Sequence, residues 1–236
     1  MRKSVCFVVL FAMVASANPK QGKTIEISRD SYHRVLQVKE KTEMLTTDWA
    51  FVVDSSHSTW KIAGTVLSGF RAATLSPLDE LRFCTYVFNK KGSYKYKDWQ
   101  NSSVDSFVAA EKFVGSNKGV NSYAADAITK ALRQPKNKLT VIIISDGGFS
   151  DGDGLAGSPD NGKFIKKIID ANQIWRVSHG YEQAVIATIG IENFLCWPYY
   201  PKDTNARCMD TLQDIGVKWG GGFFYVQKLP KARLTR

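Results

Sequence analysis

Proline is scarce in this chain, with seven residues among 236, and the 18 glycines are an ordinary share. These numbers exclude a collagen-like or a low-complexity protein. Hydrophobic residues make up 44% and aromatic residues 12% of the sequence. That composition supplies enough apolar material for a packed core and argues against long disorder. The length fits one domain with short extensions.

Long apolar runs are also missing, and the run nearest the N-terminus is too short to span a membrane. Residues 5–14 are apolar over about ten positions, whereas a membrane-spanning helix needs roughly 20. Arg2 and Lys3 precede this run, and the small residues Ala15-Ser16-Ala17 follow it. This order predicts a secretory signal peptide over residues 1–17, cleaved near Ala17. We therefore expect a secreted or periplasmic protein whose mature chain has no transmembrane span.

Cysteine and histidine are few, with four and three residues. Cys6 lies in the predicted signal peptide, and Cys84 lies in the apolar run 81–88, where we expect a buried strand thiol. Cys196 and Cys208 flank a loop rich in proline and tyrosine, so we predict a disulfide between them in an oxidising compartment. A zinc site is the competing interpretation, but neither a CxxC pair nor grouped histidines accompany these cysteines.

Apolar segments with strand character alternate with segments of helical periodicity along most of the chain. The predicted strands cover residues 49–53, 81–88, 93–97, 139–144, 184–191 and 223–226. The predicted helices cover 62–73, 107–114, 124–132, 164–175 and 209–217, preceded by a helix of modest amphipathicity over 29–45.

This alternation predicts the α/β fold class with a doubly wound sheet. Continuously apolar strands such as 139–144 are buried on both faces, which indicates a mostly parallel, six-stranded sheet with helices on both sides. The segment 93–97 carries lysines at alternate positions after a tight connection, and it predicts one antiparallel edge strand. We divide the chain into the signal peptide (1–17), an N-terminal extension with a helix (18–46), the main domain (47–228) and a basic tail (229–236).

Two loops at the ends of predicted strands carry the candidate site residues. The first follows strand 49–53 and contains Asp54, Ser56 and Ser58, which face the same way if the loop is extended. The second follows strand 139–144 and contains Asp146, directly before two glycines. In a doubly wound sheet, ligands bind at the carboxyl ends of the strands, where the strand order reverses. If the two strands are neighbours there, both carboxylates lie together.

Two carboxylates and several hydroxyls form a set of hard oxygen donors. Such a set suits Mg²⁺, Mn²⁺ or Ca²⁺ and not the metals that prefer thiolate ligands. Because few of the donors are anionic, the cation stays electrophilic. We therefore expect it to complete its coordination shell with a carboxylate from a partner molecule.

The pattern resembles the von Willebrand factor type A (vWA) domain, whose metal-ion-dependent adhesion site combines a D-x-S-x-S loop, a threonine or serine in a middle loop and a later aspartate. Asp54, Ser56 and Ser58 match the first loop, and Asp146 in the segment ISDG matches the last position. Ser122 matches the middle position, because an Ala-Ile pair follows five residues later, as in the family. The resemblance covers about residues 47–228. Ser122 lacks the methyl group of the commoner threonine, which leaves its rotamer less restricted.

The resemblance implies a binding module and not an enzyme. Such a module holds Mg²⁺, or Mn²⁺ or Ca²⁺, at these five positions and captures an aspartate or glutamate of a protein ligand. Two alternatives stay open: a structural subunit of an envelope or surface assembly with a vestigial metal site, and a metal-dependent hydrolase. Against hydrolysis, Asp54, Ser56 and His57 stand too close together in one loop to form a catalytic triad, and position 56 is not acidic.

Basic residues outnumber acidic ones, 32 to 22, which gives a net charge of +10 at pH 7. The tail 229–236 and the lysines at 90, 91, 95 and 97 concentrate this charge. Export argues against nucleic acid as the partner, so the basic surface predicts at most a contact with an anionic surface or glycan.

Overall fold

The computed structural model describes residues 24–29, 32–38, 48–67 except 58, 61 and 65, 81–152, 157–191 and 204–228. The strands in these residues are β1 (Thr24–Arg29), β2 (Tyr32–Val38), β3 (Asp48–Asp54), β4 (Arg82–Asn89), β5 (Gly92–Asn101), β6 (Thr140–Ser145), β7 (Val185–Ile191) and β8 (Gly220–Lys228). The helices are α1 (Val104–Ser116), α2 (Ala125–Leu132), α3 (Pro159–Ser178) and α4 (Thr204–Lys218). A helical segment also follows β3, at residues 60, 62–64, 66 and 67.

The strands form one sheet in the order β1-β2-β8-β7-β6-β3-β4-β5. From β8 to β4 all neighbours are parallel, and β5 pairs antiparallel with β4. These six strands are the ones that the sequence predicts. The predicted fold class, a doubly wound α/β sheet with one antiparallel strand at this edge, is therefore confirmed.

The N-terminal extension differs from the prediction. The helix expected over 29–45 is wrong, because Tyr32–Val38 forms β2, which pairs antiparallel with both β1 and β8. The segment YHRVLQV has apolar residues at helical and at alternating spacing, so periodicity alone does not decide between the two. Pairing with the neighbouring strand β8 overrides this weak local preference. The described residues accordingly form an eight-stranded sheet, whereas the prediction has six strands.

Two apolar layers cover the sheet. In β3, Trp49, Phe51 and Val53 point to the face covered by α1 and the helical segment after β3. Ala50 and Val52 point to the opposite face, which α2, α3 and α4 cover. This double coverage explains why β3 and β6 are apolar at consecutive positions and not only at alternate ones. None of the described helices is both long and apolar enough to cross a membrane.

The strand order reverses between β3 and β6. From β3 the chain continues to β4 and β5 on one side, whereas from β6 it continues to β7 and β8 on the other. Val53 lies opposite Ile144 in the parallel pair β3/β6, so the loops that follow the two strands leave the sheet side by side. This is the type of position at which open α/β sheets bind their ligands.

Candidate metal centre

Asp54 is the last residue of β3, and its side chain is completely buried. Its Oδ1 accepts a hydrogen bond from the backbone N–H of Ser56 at 2.8 Å. Its Oδ2 accepts one from the hydroxyl of Ser122 and one from the hydroxyl of Ser145, each at 2.9 Å. Both carboxylate oxygens are therefore held in place by groups from three separate parts of the chain.

Ser56 lies in a tight turn that starts the helical segment after β3. Its carbonyl accepts hydrogen bonds from the backbone N–H groups of Thr59 and Trp60. Its hydroxyl lies 2.9 Å from that of Thr59, which also donates to the carbonyl of Asp54 at 3.2 Å. Ser56 therefore lies beside the Asp54 carboxylate and contacts it through its backbone N–H and its side chain. Ser58, the third predicted position in this loop, lies outside the described residues.

Asp146 follows β6 directly and is only 4% exposed. Its Oδ1 accepts a hydrogen bond from the backbone N–H of Gly148 at 2.9 Å. Burial, together with the negative charge of Asp146, raises the pKa of Asp54 to about 7, although hydrogen bonds from Ser56 and Ser145 act in the opposite direction. The two carboxylates are therefore close enough to repel each other in a buried crevice.

Ser122 is held by the loop that follows β6. Its carbonyl accepts a hydrogen bond from the N–H of Ser150 at 2.9 Å, and its own N–H donates to the Ser150 hydroxyl at 3.3 Å. Asp151 then accepts from the N–H groups of Ala124 and Ala125, at 2.6 and 3.1 Å. Its carboxylate satisfies N–H groups at the start of α2, which otherwise lack partners. The middle loop and the last loop are thus fastened together.

The hairpin turn between β4 and β5 supports the same crevice. The side chain of Asn89 donates to the Ser55 hydroxyl and to the carbonyl of Asn117. The N–H of Gly119 donates to the carbonyl of Ser55 at 3.0 Å, and that of Lys90 donates to the carbonyl of Val120 at 2.7 Å. The β3 loop, this hairpin and the segment 117–122 therefore form one hydrogen-bonded unit.

The structure places four of the five predicted site residues, Asp54, Ser56, Ser122 and Asp146, around one crevice. Sequence reasoning missed Ser145 as a partner of Asp54, because only the register of β3 against β6 places it there. The buried Cys84 agrees with its prediction. Cys196 and the side chain of Cys208 lie outside the described residues, so their disulfide stays a prediction.

The donors around the crevice fit a hard divalent cation. They are two carboxylates and neutral hydroxyls, which are the oxygen ligands that Mg²⁺, Mn²⁺ and Ca²⁺ accept. Within the described residues, no group of three or more His, Cys, Asp or Glu side chains is arranged to hold a metal. With two carboxylates as the anionic donors, a cation here would take its other protein ligands from neutral serine hydroxyls.

Comparisons with known proteins identify a structural neighbour but no family by sequence. No protein-family model and no curated protein matches the chain. Among solved structures, the chain is similar to a von Willebrand factor type A protein from Catenulispora acidiphila, with a TM-score of 0.45 and 15% identity. The match covers 78% of this chain and 40% of that one. None of these comparisons assigns a function to this chain.

Proposed function

We propose that the chain is an exported binding module of the vWA type that captures an acidic residue of a partner protein through a divalent cation. The ion is Mg²⁺, or Mn²⁺ or Ca²⁺ in its place. The residues that would hold it are Asp54, Ser56, Ser58, Ser122 and Asp146.

One observation carries the proposal: the hydroxyl of Ser122 lies 2.9 Å from a carboxylate oxygen of Asp54, although 68 residues separate them. Two parts of the motif that are distant in sequence thus meet where the strand order reverses, and the loop that carries Asp146 holds Ser122 through Ser150. Convergence of this kind is needed for coordination, and it does not follow from a serine-rich loop that merely caps a helix.

The chain's own residues would orient the ion and leave it open to a ligand. The Asp54 carboxylate accepts hydrogen bonds from Ser56, Ser122 and Ser145, so its orientation is fixed. Hydroxyls add ligand oxygens without adding negative charge. The bound ion supplies a positive charge that attracts a further carboxylate, and an aspartate or glutamate of a partner would provide it.

Binding is favoured over catalysis by the surroundings of Asp54. In a hydrolytic triad, the carboxylate accepts a hydrogen bond from an imidazole and orients it. The Asp54 carboxylate instead accepts from a backbone N–H and two serine hydroxyls, while His57 is exposed.

A scaffold subunit of an envelope or surface assembly, with the same fold and no bound ion, is the second candidate. The apparent signal peptide supports export in either case.

Calorimetric titration of the purified chain with Mg²⁺ and Mn²⁺ tests the proposal. We expect saturable binding that Asp54→Ala and Asp146→Ala each abolish. Asp170→Ala is the matched control, because this aspartate is paired with Lys218 on the helical surface at 2.8 Å, and its loss should leave binding unchanged. Absence of binding at millimolar metal would favour the scaffold function instead.

A further inference from the structure

We propose that the partner segment is rich in acidic residues, because three lysines around the crevice form a basic rim that would contact carboxylates beside the one that reaches the ion. This inference rests on the proposed function for the location of the ligand. To the proposed function it adds one property of the partner, the negative charge of the segment that binds. The basic rim consists of Lys90, Lys91 and Lys118.

The rim lysines belong to the hydrogen-bonded unit that supports the candidate ligands. Lys90 donates its N–H to Val120, two residues before Ser122, and the N–H of Lys91 donates to the Asn89 side chain at 2.8 Å. Lys118 precedes Gly119, whose N–H is bonded to the loop after Asp54. Their positions relative to the crevice are therefore set by the backbone contacts that shape it.

All three rim lysines are exposed, and none of them forms an ion pair with another of the described residues. The ammonium group of Lys118 lies over the ring of Trp60, 5.4 Å from its centre, which keeps the side chain near the start of the helical segment after the metal loop. Five lysines elsewhere, Lys95, Lys130, Lys163, Lys166 and Lys218, each pair with an aspartate. Exposed lysines without such a pair also occur at 97, 138 and 167, and the rim lysines differ from them in lying on the segments that shape the crevice.

Acidic residues near the rim do not cancel this charge. Asp54 and Asp146 are buried, and a divalent cation between them would neutralise their charge. The exposed Asp126 at the start of α2 is paired with Lys130 at 2.6 Å and accepts a hydrogen bond from Ser93. An acidic segment laid across the crevice would therefore meet cations on the side formed by the hairpin and residues 117–122.

The test uses two short fluorescein-labelled peptides and the full chain. One peptide has a single aspartate among glycines and serines, and the other has glutamates on both sides of that aspartate. Binding is measured by fluorescence anisotropy with Mg²⁺ at low and high ionic strength, and again with EDTA. The variant that tests the rim carries Lys90→Gln, Lys91→Gln and Lys118→Gln.

The matched control carries Lys97→Gln, Lys138→Gln and Lys167→Gln. These lysines are exposed as well, and Lys97 also lies over an aromatic ring, that of Tyr96. Lys138 precedes β6, whose other end carries Asp146. All six substitutions lie on the surface, so thermal unfolding should show that both variants stay folded.

With Mg²⁺ at low salt, we expect the glutamate-flanked peptide to bind about tenfold more tightly than the plain one, as expected for a few exposed charge pairs. The rim variant should lose this preference, the control variant should keep it, and high salt should reduce it. A preference that is absent, or that persists in the rim variant, overturns the inference. If the preference fails in either way but the plain peptide still binds only with Mg²⁺, the proposed function stands.

Peptide binding could also depend on the rim lysines and be equally tight in Mg²⁺ and in EDTA. The basic rim would then be supported, and the metal-dependent function would be contradicted. Failure of both peptides to bind under every condition overturns the inference as well.

Discussion

At the scale of single residues, Asp54 organises the crevice. Its two oxygens accept three hydrogen bonds, from Ser56, Ser122 and Ser145, so its orientation is set before any ligand arrives. Preorganised ligands bind a metal more tightly because less conformational freedom is lost on binding. Ser122 is the member of this set whose hydroxyl would move from the carboxylate to the ion.

We predict that Ser122→Ala weakens Mg²⁺ binding by about tenfold or more, because a ligand oxygen is lost. Ser122→Thr should retain binding, since threonine keeps the hydroxyl and its branched side chain is restricted to fewer rotamers. Titration calorimetry on both variants measures the difference. Equal affinities for the alanine and threonine variants would contradict a role for this hydroxyl.

The sequence predicts the residues of the crevice better than it predicts their mutual contacts. Asp54 and Asp146 stand out because each follows an apolar run. Their place at the carboxyl ends of two strands is enough to predict that they meet where the strand order reverses. Ser145 does not stand out in this way, because it is the last residue of β6 and a serine is common at the end of a strand. Its contact with Asp54 depends on the register of two strands that are distant in sequence, and no local pattern encodes that register.

At the scale of secondary-structure elements, the buried Arg176 of α3 holds the end of α2 and the segment after it. Its guanidinium group donates to the backbone carbonyls of Leu132, Gln134, Lys136, Asn137 and Glu182. The side chain is fully buried. These carbonyls lie at the end of α2 and in the loops that lead to β6 and β7. Outside regular secondary structure they have few alternative partners inside the protein.

We predict that Arg176→Met lowers the free energy of unfolding by more than about 3 kcal/mol, because several buried carbonyls lose their donor at once. Arg133→Met is the matched control. Arg133 is exposed, lies over the ring of Trp175 and donates to Asn172, so its loss should cost about 1 kcal/mol. Urea unfolding of both variants tests this, and similar losses would contradict the role assigned to Arg176.

Gly119 provides a second element-scale prediction, about the segment that carries Ser122. A Cβ at this position would lie 2.7 Å from Cγ of Asn89, and the Asn89 side chain is buried and hydrogen-bonded to Ser55 and Asn117. Gly119→Ala should therefore separate the segment from the hairpin and reduce both stability and Mg²⁺ affinity.

The matched control for Gly119→Ala is Gly115→Ala in α1. There the new Cβ would meet only the ring of Trp60, at the ordinary contact distance of 3.8 Å. Alanine is also the better helix former, so we expect unchanged stability or a gain of about 0.5–1 kcal/mol. Thermal unfolding of the two variants measures the difference, and a Gly119→Ala variant as stable as the control would contradict the close packing of Gly119 against Asn89.

At the scale of the whole molecule, the sheet has a core of six strands and an N-terminal addition. The site lies between β3 and β6, whereas β1 and β2 join beyond β8, at the far side of the sheet. We predict that a chain beginning at residue 47 binds Mg²⁺ with an affinity within about twofold of the full chain. Its stability should fall, because β8 becomes an exposed edge strand. Loss of Mg²⁺ binding in a shortened chain that stays folded would contradict this separation.

The six core strands are predictable from the sequence, and the N-terminal strands are not. Residues 139–144 are apolar at every position, which a strand buried on both faces requires. In contrast, residues 32–38 mix apolar and polar residues, so either a helix or a strand satisfies the local pattern. Only pairing with Gly220–Lys228, nearly two hundred residues later, settles the choice.

Anomalous diffraction from crystals of the chain grown with Mn²⁺ is the sharpest test of the metal site, because it locates the ion. We predict a peak about 2.0–2.3 Å from ligand oxygens in the crevice, among the five proposed ligands Asp54, Ser56, Ser58, Ser122 and Asp146, and its loss in crystals of Asp54→Ala. A crevice without a peak at saturating Mn²⁺, or a peak held by other residues, would contradict metal binding at this site.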